Sequence, residues 1–482
     1  MEIVKGLKPE SFWRHFYNLT RIPRESGNEE GVRSYVVDFA EKHGLEYKID
    51  KIGNIIIKRP AGRGKQGSPS VVLQGHMDMV CEKNRDKEHD FEKDPIALLI
   101  EDGWLKADGT TLGADNGVAV AAGLAVLESE EELCPVEVLL TVDEETGLTG
   151  AIELDPSMVD SRILINLDSE EDGVIYVGCA GGKNTEGFIP VEFEKTPDGY
   201  SAFSLELKGL KGGHSGGEIH LGLGNANTLG SRFLWTAAKK FDIRLSSIEG
   251  GGKHNAIPRE FFADILVKKS EVESFSTWAA EYQKTIKSEF HHNEPSMSFT
   301  ARAAELPEDV YTIDSQKRIV NLAYSLPHGV VKMSPVLENL VETSTNFARI
   351  ELRDKSDIFV QNCNRSSVDS ECDDIAFRAA AIMEAAGGRV EFRDEYPGWD
   401  PNPDSEIRKK AEEVYRDNFG KDPEIKAIHA GLECGVIGKK FDSMDMISIG
   451  PELADVHTPG EKMRMDSVEK CWKFLLGILK ML

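Results

Sequence analysis

The sequence predicts an α/β protein of two domains, and three observations support this prediction. The chain has 482 residues, more than a single hydrophobic core usually holds. In its first part, short apolar runs of the kind found in buried strands alternate with helical stretches. A middle region of different texture interrupts this alternation, which returns near Trp399. We therefore expect one domain with a mixed, mainly parallel sheet at 1–186 and 400–482, and an inserted α+β domain at 187–399.

Local signals predict the individual elements. Phe12 and Phe16 share one face of a helix expected over 9–22. Asn28 is a typical N-cap for a second helix, and Gly44 is typical of its end. Elsewhere in the first domain we expect strands or hairpins at 45–58, 71–76, 104–111, 136–142, 163–167, 425–428 and 444–449, and helices at 118–128, 404–419 and from 467. In the inserted domain we expect strands at 201–207, 260–268, 330–333, 347–352, 357–363 and 389–392, and helices at 226–240, 274–290 and 370–386.

Composition is that of an ordinary globular protein and argues against some partners. Hydrophobic residues make up 40% of the chain and charged residues 29%. The net charge of −26 argues against nucleic acid, because phosphates would be repelled. No apolar run reaches the roughly 18 residues of a membrane span, and the first residues lack a signal-peptide core. The seven cysteines include no Cys-x-x-Cys pair, which predicts a reduced, cytoplasmic protein without disulfides.

The apolar strand at 71–76 ends in His76, and Asp78 follows two residues later. An imidazole at this place can bind a metal while the carboxylate holds its other ring nitrogen. Ligation through Asp78 instead of His76 is also compatible with this spacing. A histidine that is only hydrogen-bonded at a strand end would give the same local pattern. The residues at the ends of the other strands are therefore needed to distinguish a metal site from this alternative.

Acidic residues follow the other apolar runs. Glu144 and Glu145 come after one run, and Asp168 comes after another. Asp115 stands at the start of a buried helix, where it could either cap the helix or face a metal. Ligands gather at the carboxyl ends of parallel strands in open α/β sheets, so these residues predict one shared site.

Two histidines and three carboxylates are enough for a two-metal site, in which one carboxylate bridges and each metal has one histidine and one further carboxylate. Two such metals lower the pKa of a shared water and stabilise the oxyanion that forms when it attacks a carbonyl. A carboxylate that is not a ligand must take the proton, and Glu144 is the natural candidate. Adjacent side chains of an extended chain point apart, so only one of Glu144 and Glu145 should bind metal unless the turn bends the chain. The five candidate ligands are His76, Asp115, Glu145, Asp168 and His457.

Taken together, five short motifs resemble the M20 family of metallopeptidases. The resemblance extends over nearly the whole chain, with the inserted domain in the place of the family's lid. It implies a zinc-peptidase-like catalytic domain with two Zn²⁺ per chain, for which Co²⁺ or Mn²⁺ can substitute. The motifs are Gly75-His76-Met77-Asp78, Gly113-Ala114-Asp115-Asn116-Gly117, Asp143-Glu144-Glu145-Thr146-Gly147, Leu167-Asp168 and His457-Thr458-Pro459-Gly460-Glu461.

The same resemblance implies a role for each residue of this domain. One zinc would be held by His76 and Asp168, and the other by Glu145 and His457. The bridging carboxylate would be Asp115. The general base would be Glu144, and the residue that orients the His76 ring would be Asp78.

In the inserted domain the resemblance implies substrate contacts. His214 would reach the scissile carbonyl, Asn255 would bind substrate, and Arg365 would receive the substrate carboxylate. Gly431 would also contact substrate, but many relatives have Gly-Thr-Asp where this chain has Gly-Leu-Glu, which leaves the recognition role of this loop open. Plainer interpretations exist: His214 as a cap of its own loop, Arg365 as a surface or salt-bridge arginine, and Asn255 as a turn residue.

The function implied is that of a dipeptidase acting on dipeptides with free ends. Likeness to the branch of the family that cleaves Xaa-His dipeptides implies a preference for a C-terminal histidine, including carnosine-like β-Ala-His. The alternatives are another M20 activity (tripeptidase, aminoacylase or deacetylase) or a catalytically silent metal-binding assembly protein. A homodimer formed through the lid is expected, and the sequence leaves open whether His214 would serve its own chain or the partner.

Overall fold

The computed structural model describes residues 2–482. Its helices are α1 (Glu10–Leu19), α2 (Glu30–His43), α3 (Ala114–Leu127), α4 (Glu144–Gly147), α5 (Thr149–Glu153), α6 (Ala226–Lys240), α7 (Val272–Glu289), α8 (Ile313–Ser325), α9 (Asp369–Ala385), α10 (Glu406–Phe419), α11 (Glu433–Gly438) and α12 (Met465–Met481). Its first strands are β1 (Glu46–Ile49), β2 (Ile55–Arg59), β3 (Val71–His76), β4 (Leu98–Glu101), β5 (Trp104–Ala107), β6 (Val136–Thr141), β7 (Ile163–Asn166), β8 (Val174–Cys179), β9 (Gly181–Pro190), β10 (Phe193–Lys195), β11 (Tyr200–Lys208) and β12 (Ile243–Gly250). The others are β13 (Phe261–Lys268), β14 (Ser298–Ala304), β15 (Asp309–Tyr311), β16 (Gly329–Met333), β17 (Val341–Arg353), β18 (Asp357–Ser366), β19 (Arg389–Tyr396), β20 (Glu424–Ile428), β21 (Asp445–Ser448), β22 (Leu453–Ala454) and β23 (Lys462–Arg464).

The chain forms two compact units. Unit 2 consists of Ala180–Gly398 and Ile428–Gly431, and unit 1 of the remaining residues. The first boundary therefore lies before residue 187, where the sequence pattern changes. The reason is that β9 runs without a break from Gly181 and pairs along its whole length with β18 of unit 2.

Unit 1 contains an eight-stranded mixed sheet in the order β1-β2-β6-β3-β7-β21-β8-β20. The four central strands β6, β3, β7 and β21 are parallel, and antiparallel pairs flank them. Helix α3 packs on β3 and on α1. Nearly all of its residues are buried, as its Ala-, Val- and Leu-rich sequence predicts.

The register of the parallel strands places their carboxyl ends at the same edge of the sheet. Gln74 of β3 is level with Asn166 of β7, and His76 is level with Thr141 of β6. Residues that follow these strands therefore emerge close together, as expected from the sequence.

Unit 2 contains a nine-stranded antiparallel sheet in the order β14-β11-β13-β12-β17-β18-β9-β19, with β16 added to β17. Helices α6, α7, α8 and α9 pack on strands of this sheet. The core between them includes Phe233, Phe261, Phe275 and Phe347. This arrangement confirms the α+β class predicted for the inserted domain.

Some local predictions were wrong. The hairpin lies at 98–107 because its turn is Asp102-Gly103, where both residues have a positive φ. Helix α2 begins at Glu30 after Glu29, with no side-chain cap from Asn28. Strands β8 and β9 and helix α8 were not expected. Every residue of β8 and most residues of β9 are buried, so neither strand shows an alternating pattern, and the glycines at 178, 181 and 182 interrupt the apolar sequence.

No helix within 2–482 has the combined length and apolar character needed to cross a membrane. All seven cysteines are free thiols.

Candidate metal centre

Six side chains of unit 1 meet at the carboxyl edge of the parallel strands, and we call them the carboxylate cluster. Four lie at the end of a strand or shortly after it, one stands at the start of α3, and one lies in the loop between β22 and β23. The members of this cluster are His76, Asp115, Glu144, Glu145, Asp168 and His457.

The first group of potential ligands consists of His76, Asp115 and Asp168, whose ligand atoms lie within 4.8 Å of one another. His76 Nε2 lies 3.0 Å from Asp115 Oδ1 and 3.5 Å from Asp168 Oδ1. Asn116 donates a hydrogen bond from its side-chain amide to Asp168 Oδ1, which fixes the orientation of that carboxylate. One nitrogen and two oxygens therefore face a common point.

The second group consists of Asp115, Glu145 and His457. His457 Nε2 lies 3.0 Å from Asp115 Oδ2 and 3.1 Å from Glu145 Oε2. Asp115 thus belongs to both groups and turns one oxygen toward each histidine. This is the position that a bridging carboxylate needs.

Glu144 and Glu145 lie side by side at the first turn of α4 rather than on an extended strand. Asp143 precedes them with a positive φ of 51°, so the chain bends at this point. Both carboxylates consequently face His76, and Glu144 Oε2 lies 3.9 Å from His76 Nε2. Adjacent side chains of an extended chain would point apart, but this bend turns Glu144 and Glu145 toward the same site, as the sequence had allowed.

Asp78 contacts the His76 ring and the turn that carries Glu144 and Glu145. Its Oδ1 lies 3.1 Å from His76 Nδ1, and Ser26 donates to its Oδ2 at 2.7 Å. The backbone N–H groups of Glu144 and Glu145 donate to the two oxygens of the same carboxylate. Asp78 therefore orients both the imidazole ring and the turn that carries the glutamates.

Negative charge dominates the electrostatics of the carboxylate cluster. Hydrogen bonds to Asp115 and Glu145 raise the pKa of His457 to about 11. Burial opposes protonation of His76, but Asp168 and its other acidic neighbours raise the His76 pKa well above its ordinary value. Burial also raises the pKa of Glu144, and nearby carboxylates add to this effect. The cluster thus favours bound protons or other cations.

These residues fit a pair of divalent metal ions. Imidazole nitrogens and carboxylate oxygens are ligands that Zn²⁺, Co²⁺ and Mn²⁺ all accept. Oε1 of Glu145 is buried and has no hydrogen-bond partner among the residues described, a state that costs free energy unless a cation compensates it. Two ligand groups that share Asp115 match a two-metal arrangement.

Three further residues near the site were not predicted. Glu433 is fully buried and accepts hydrogen bonds from Gln74 and Thr141. Glu461 and Arg24 are buried beside the loop that carries Asp115. The motif around His457 contains Glu461, but no local sequence signal indicated what its carboxylate contacts.

Unit 2 contains a second group of polar side chains, which we call the arginine cluster: His214, Ser344, Arg365, Tyr396 and His429. Arg365 is only 6% exposed, which excludes the interpretation as a surface residue. Its Nη1 donates to the Tyr396 hydroxyl at 2.7 Å, and its Nε is buried without a hydrogen-bond partner within residues 2–482. His429 Nε2 lies 2.7 Å from Ser344 Oγ.

Burial and the charge of Arg365 lower the pKa of His214 to about 4 and that of His429 to about 3. Both histidines are therefore neutral near pH 7. Nδ1 of His214 accepts the backbone N–H of Gly217 at 2.9 Å, so the loop-cap interpretation holds for that nitrogen and leaves Nε2 for another partner.

The other two predicted residues of unit 2 have different surroundings. Asn255 is exposed and, with His214, lines a cavity of about 670 Å³. Gly431 packs against the Tyr396 ring, where an added Cβ would lie 2.9 Å from the ring. A glycine is thus required for the observed position of Tyr396.

Comparison with known proteins places this geometry in context. The model of peptidase family M20/M25/M40 matches residues 72–481. The cytosol non-specific dipeptidase of Escherichia coli is 41% identical over 481 residues, which cover 100% of this chain and 99% of that protein. The crystal structure of aminoacylhistidine dipeptidase from Vibrio alginolyticus superposes with a TM-score of 0.91 at 39% identity, covering 99% of this chain and 97% of that one. Aminopeptidase PepT of Bacillus cereus shares the fold, with a TM-score of 0.62 at 16% identity over 98% of both chains.

Proposed function

The chain belongs to peptidase family M20/M25/M40, and on this premise we propose that it is a metal-dependent dipeptidase acting on dipeptides with free ends. Its full-length likeness to a cytosol non-specific dipeptidase supports the activity. The observation that carries the proposal is the pair of ligand groups that share Asp115, with Glu144 beside them.

We assign the metal ligands as follows. His76 and Asp168 would hold one ion, Glu145 and His457 would hold the other, and Asp115 would be shared by both groups. When bound, two Zn²⁺ ions would supply a water of lowered pKa and polarise the scissile carbonyl; Co²⁺ or Mn²⁺ can replace them.

Glu144 is the proton carrier in this proposal. It lies beside the proposed ligands but is not itself assigned as a ligand. Burial raises the pKa of Glu144, which stabilises the protonated carboxyl group after it has accepted a proton. It takes the proton from the attacking water and passes it to the leaving amine. Asp78 holds the His76 ring at Nδ1, so that Nε2 stays directed toward the ligand group.

In unit 2, the arginine cluster offers a positive charge and neutral imidazoles. We assign Arg365 to the C-terminal carboxylate of the substrate, because its guanidinium bonds to a hydroxyl rather than to a protein carboxylate. We assign His214 to the scissile carbonyl, where its Nε2 would donate a hydrogen bond. Asn255 would contact the substrate backbone, and Gly431 would let Tyr396 hold Arg365 in place.

The proposed preference is for Xaa-His dipeptides, including carnosine-like β-Ala-His. The structural likeness to a protein named aminoacylhistidine dipeptidase supports this choice.

A homodimer through unit 2 is also proposed. Val330, Val331 and Met333 of β16 are 40–47% exposed, an apolar surface that a second copy would cover. A cytoplasmic location remains a prediction, supported by the free cysteines.

A substrate screen with controlled metal content tests the proposal. Metal-free protein, prepared with a chelator, should be inactive, and adding two equivalents of Zn²⁺ or Co²⁺ should restore hydrolysis. Xaa-His dipeptides should give the highest kcat/KM, with Xaa-Ala, tripeptides and N-acetylated dipeptides lower. Full activity in chelator would refute the metal requirement, and equal or better cleavage of tripeptides or acetylated substrates would refute the assigned substrate class.

A further inference from the structure

The carboxylate of Glu461 binds four successive backbone N–H groups. Leu112 and Gly113 donate to its Oε2 at 2.7 and 2.9 Å, and Ala114 and Asp115 donate to its Oε1 at 2.7 and 3.3 Å. The side chain is 2% exposed, so these hydrogen bonds are the compensation for burying its charge.

The donors lie at the start of α3, where backbone N–H groups have no partner within the helix. The last of the four belongs to Asp115, the residue whose oxygens face both His76 and His457. Glu461 therefore fixes the backbone of the one residue that both ligand groups share.

Arg24 contacts the same loop. Its guanidinium is buried and donates to the carbonyl oxygens of Met77, Asp78 and Gly113. Gly113 has a φ of 69°, and a Cβ there would lie 2.3 Å from Arg24. The loop is thus held by a carboxylate that accepts from its N–H groups and by a guanidinium that donates to a carbonyl oxygen.

Glu461 also follows His457 by only four residues. His457 has a positive φ of 61°, and its side chain is 51% exposed, so packing alone restrains it little. His76 and Asp168, by contrast, are held at the ends of paired strands. The Glu461 carboxylate ties the segment that carries His457 to the loop that carries Asp115.

We infer that Glu461 is a positioning residue that sets Asp115 and His457 at the spacing needed to bind the second metal ion. The inference rests on the ligand assignment proposed above and goes beyond it, since Glu461 itself contacts no metal. Loss of this carboxylate should weaken the ion held by Glu145 and His457 more than the ion held by His76 and Asp168.

Metal binding by the whole protein tests this inference, with Glu461→Gln as the variant. Glutamine keeps the size of the side chain, but it has only one oxygen acceptor and directs an NH₂ group at two backbone donors. Asp466→Asn is the matched control, because Asp466 lies nearby in the sequence but is exposed and pairs with Arg464. Metal-free protein is titrated with Co²⁺ and followed by visible absorption and calorimetry.

We expect the wild type and Asp466→Asn to bind two Co²⁺. Glu461→Gln should bind the first ion within about threefold of the wild-type affinity and the second at least about tenfold more weakly, with an altered spectrum for that ion. Two ions bound by Glu461→Gln with wild-type affinities would overturn the inference alone. A wild type that binds a single ion would overturn the ligand assignment, and the inference with it.

Hydrogen exchange of the metal-free wild type gives a second test that needs no variant. The amides at 112–115 should exchange slowly before metal is added, because Glu461 already accepts them. Exchange as fast as in exposed loops would contradict the proposed role. Thermal unfolding of metal-free Glu461→Gln separates the two effects: a lower Tm with unchanged Co²⁺ binding would mean a merely structural role.

Discussion

The carboxylate cluster of unit 1 and the arginine cluster of unit 2 have charges of opposite sign. In the first, buried carboxylates outnumber the imidazoles, and His457 reaches a pKa of about 11. In the second, Arg365 is the buried charge, and its neighbours His214 and His429 have pKa values of about 4 and 3. The pKa of the same side chain, histidine, is thus shifted in opposite directions within one chain.

This difference indicates what each cluster is suited to bind. Carboxylates buried together need cations, which can be protons or metal ions. A buried guanidinium whose nearest polar partner is a hydroxyl favours an anion, and a carboxylate satisfies it with two hydrogen bonds.

The largest expected effect comes from replacing the proposed proton carrier in the carboxylate cluster. Glu144→Gln should lower kcat about 10³-fold, because a general base contributes about 10²- to 10⁴-fold. Metal content, measured by atomic emission, should stay at the wild-type level. The exposed Glu130→Gln serves as control and should keep full activity. A variant that loses metal would show that Glu144 is a ligand and would break the assignment of roles.

In the arginine cluster, Arg365→Ala should raise KM about 10- to 100-fold for dipeptides with a free carboxylate, because a charged hydrogen bond contributes about 1.5–3 kcal/mol. C-terminally amidated dipeptides should show little change between wild type and variant. Arg349→Ala is the matched control, since Arg349 is paired with Glu351 in the same unit. An equal loss on amidated and free substrates would remove Arg365 from carboxylate recognition.

The neutral state of His429 predicts a pH dependence of stability. Its folded pKa of about 3 lies below its ordinary value of 6.5, so the unfolded chain takes up the proton first and stability falls as pH decreases from about 6.5 toward 3. Between about pH 7.5 and 5.5 this residue should reduce the free energy of unfolding by about 1.4 kcal/mol.

Urea unfolding of wild type and His429→Gln at both pH values measures this contribution. Effects common to both proteins cancel, so only the difference between their pH dependences counts. Identical dependences would mean that His429 takes up a proton as readily in the folded protein as in the unfolded chain, and its pKa would then not be lowered by the arginine cluster.

The smallest effect is expected at Tyr396, whose hydroxyl orients Arg365. Tyr396→Phe should raise KM about fivefold with kcat unchanged, because one hydrogen bond contributes about 1 kcal/mol. Tyr324→Phe, at an exposed tyrosine, should have no effect on either constant. A Tyr396→Phe variant as impaired as Arg365→Ala would mean that the hydroxyl itself binds substrate.

Local sequence patterns were sufficient for much of unit 1. The apolar runs before His76, Glu144 and Asp168 predicted strands, and the rule for parallel sheets predicted that their ends meet. Asp115 illustrates the limit of this reasoning. Its position at a helix start allowed either a cap or a metal ligand, and only its distances of 3.0 Å to both histidines favour the second.

What the sequence by itself determined is therefore many of the elements, although not β8, β9 or α8, and the chemistry at the ends of the predicted strands, because periodicity and turn preference act over a few residues. Tertiary structure alone decided that Glu461 binds the N–H groups at 112–115, that Tyr396 meets Arg365, and that β9 belongs to unit 2. The physical reason is that a hydrogen bond between distant residues, such as a carboxylate and a backbone N–H, depends on how the chain packs, and any residue except proline can supply that donor.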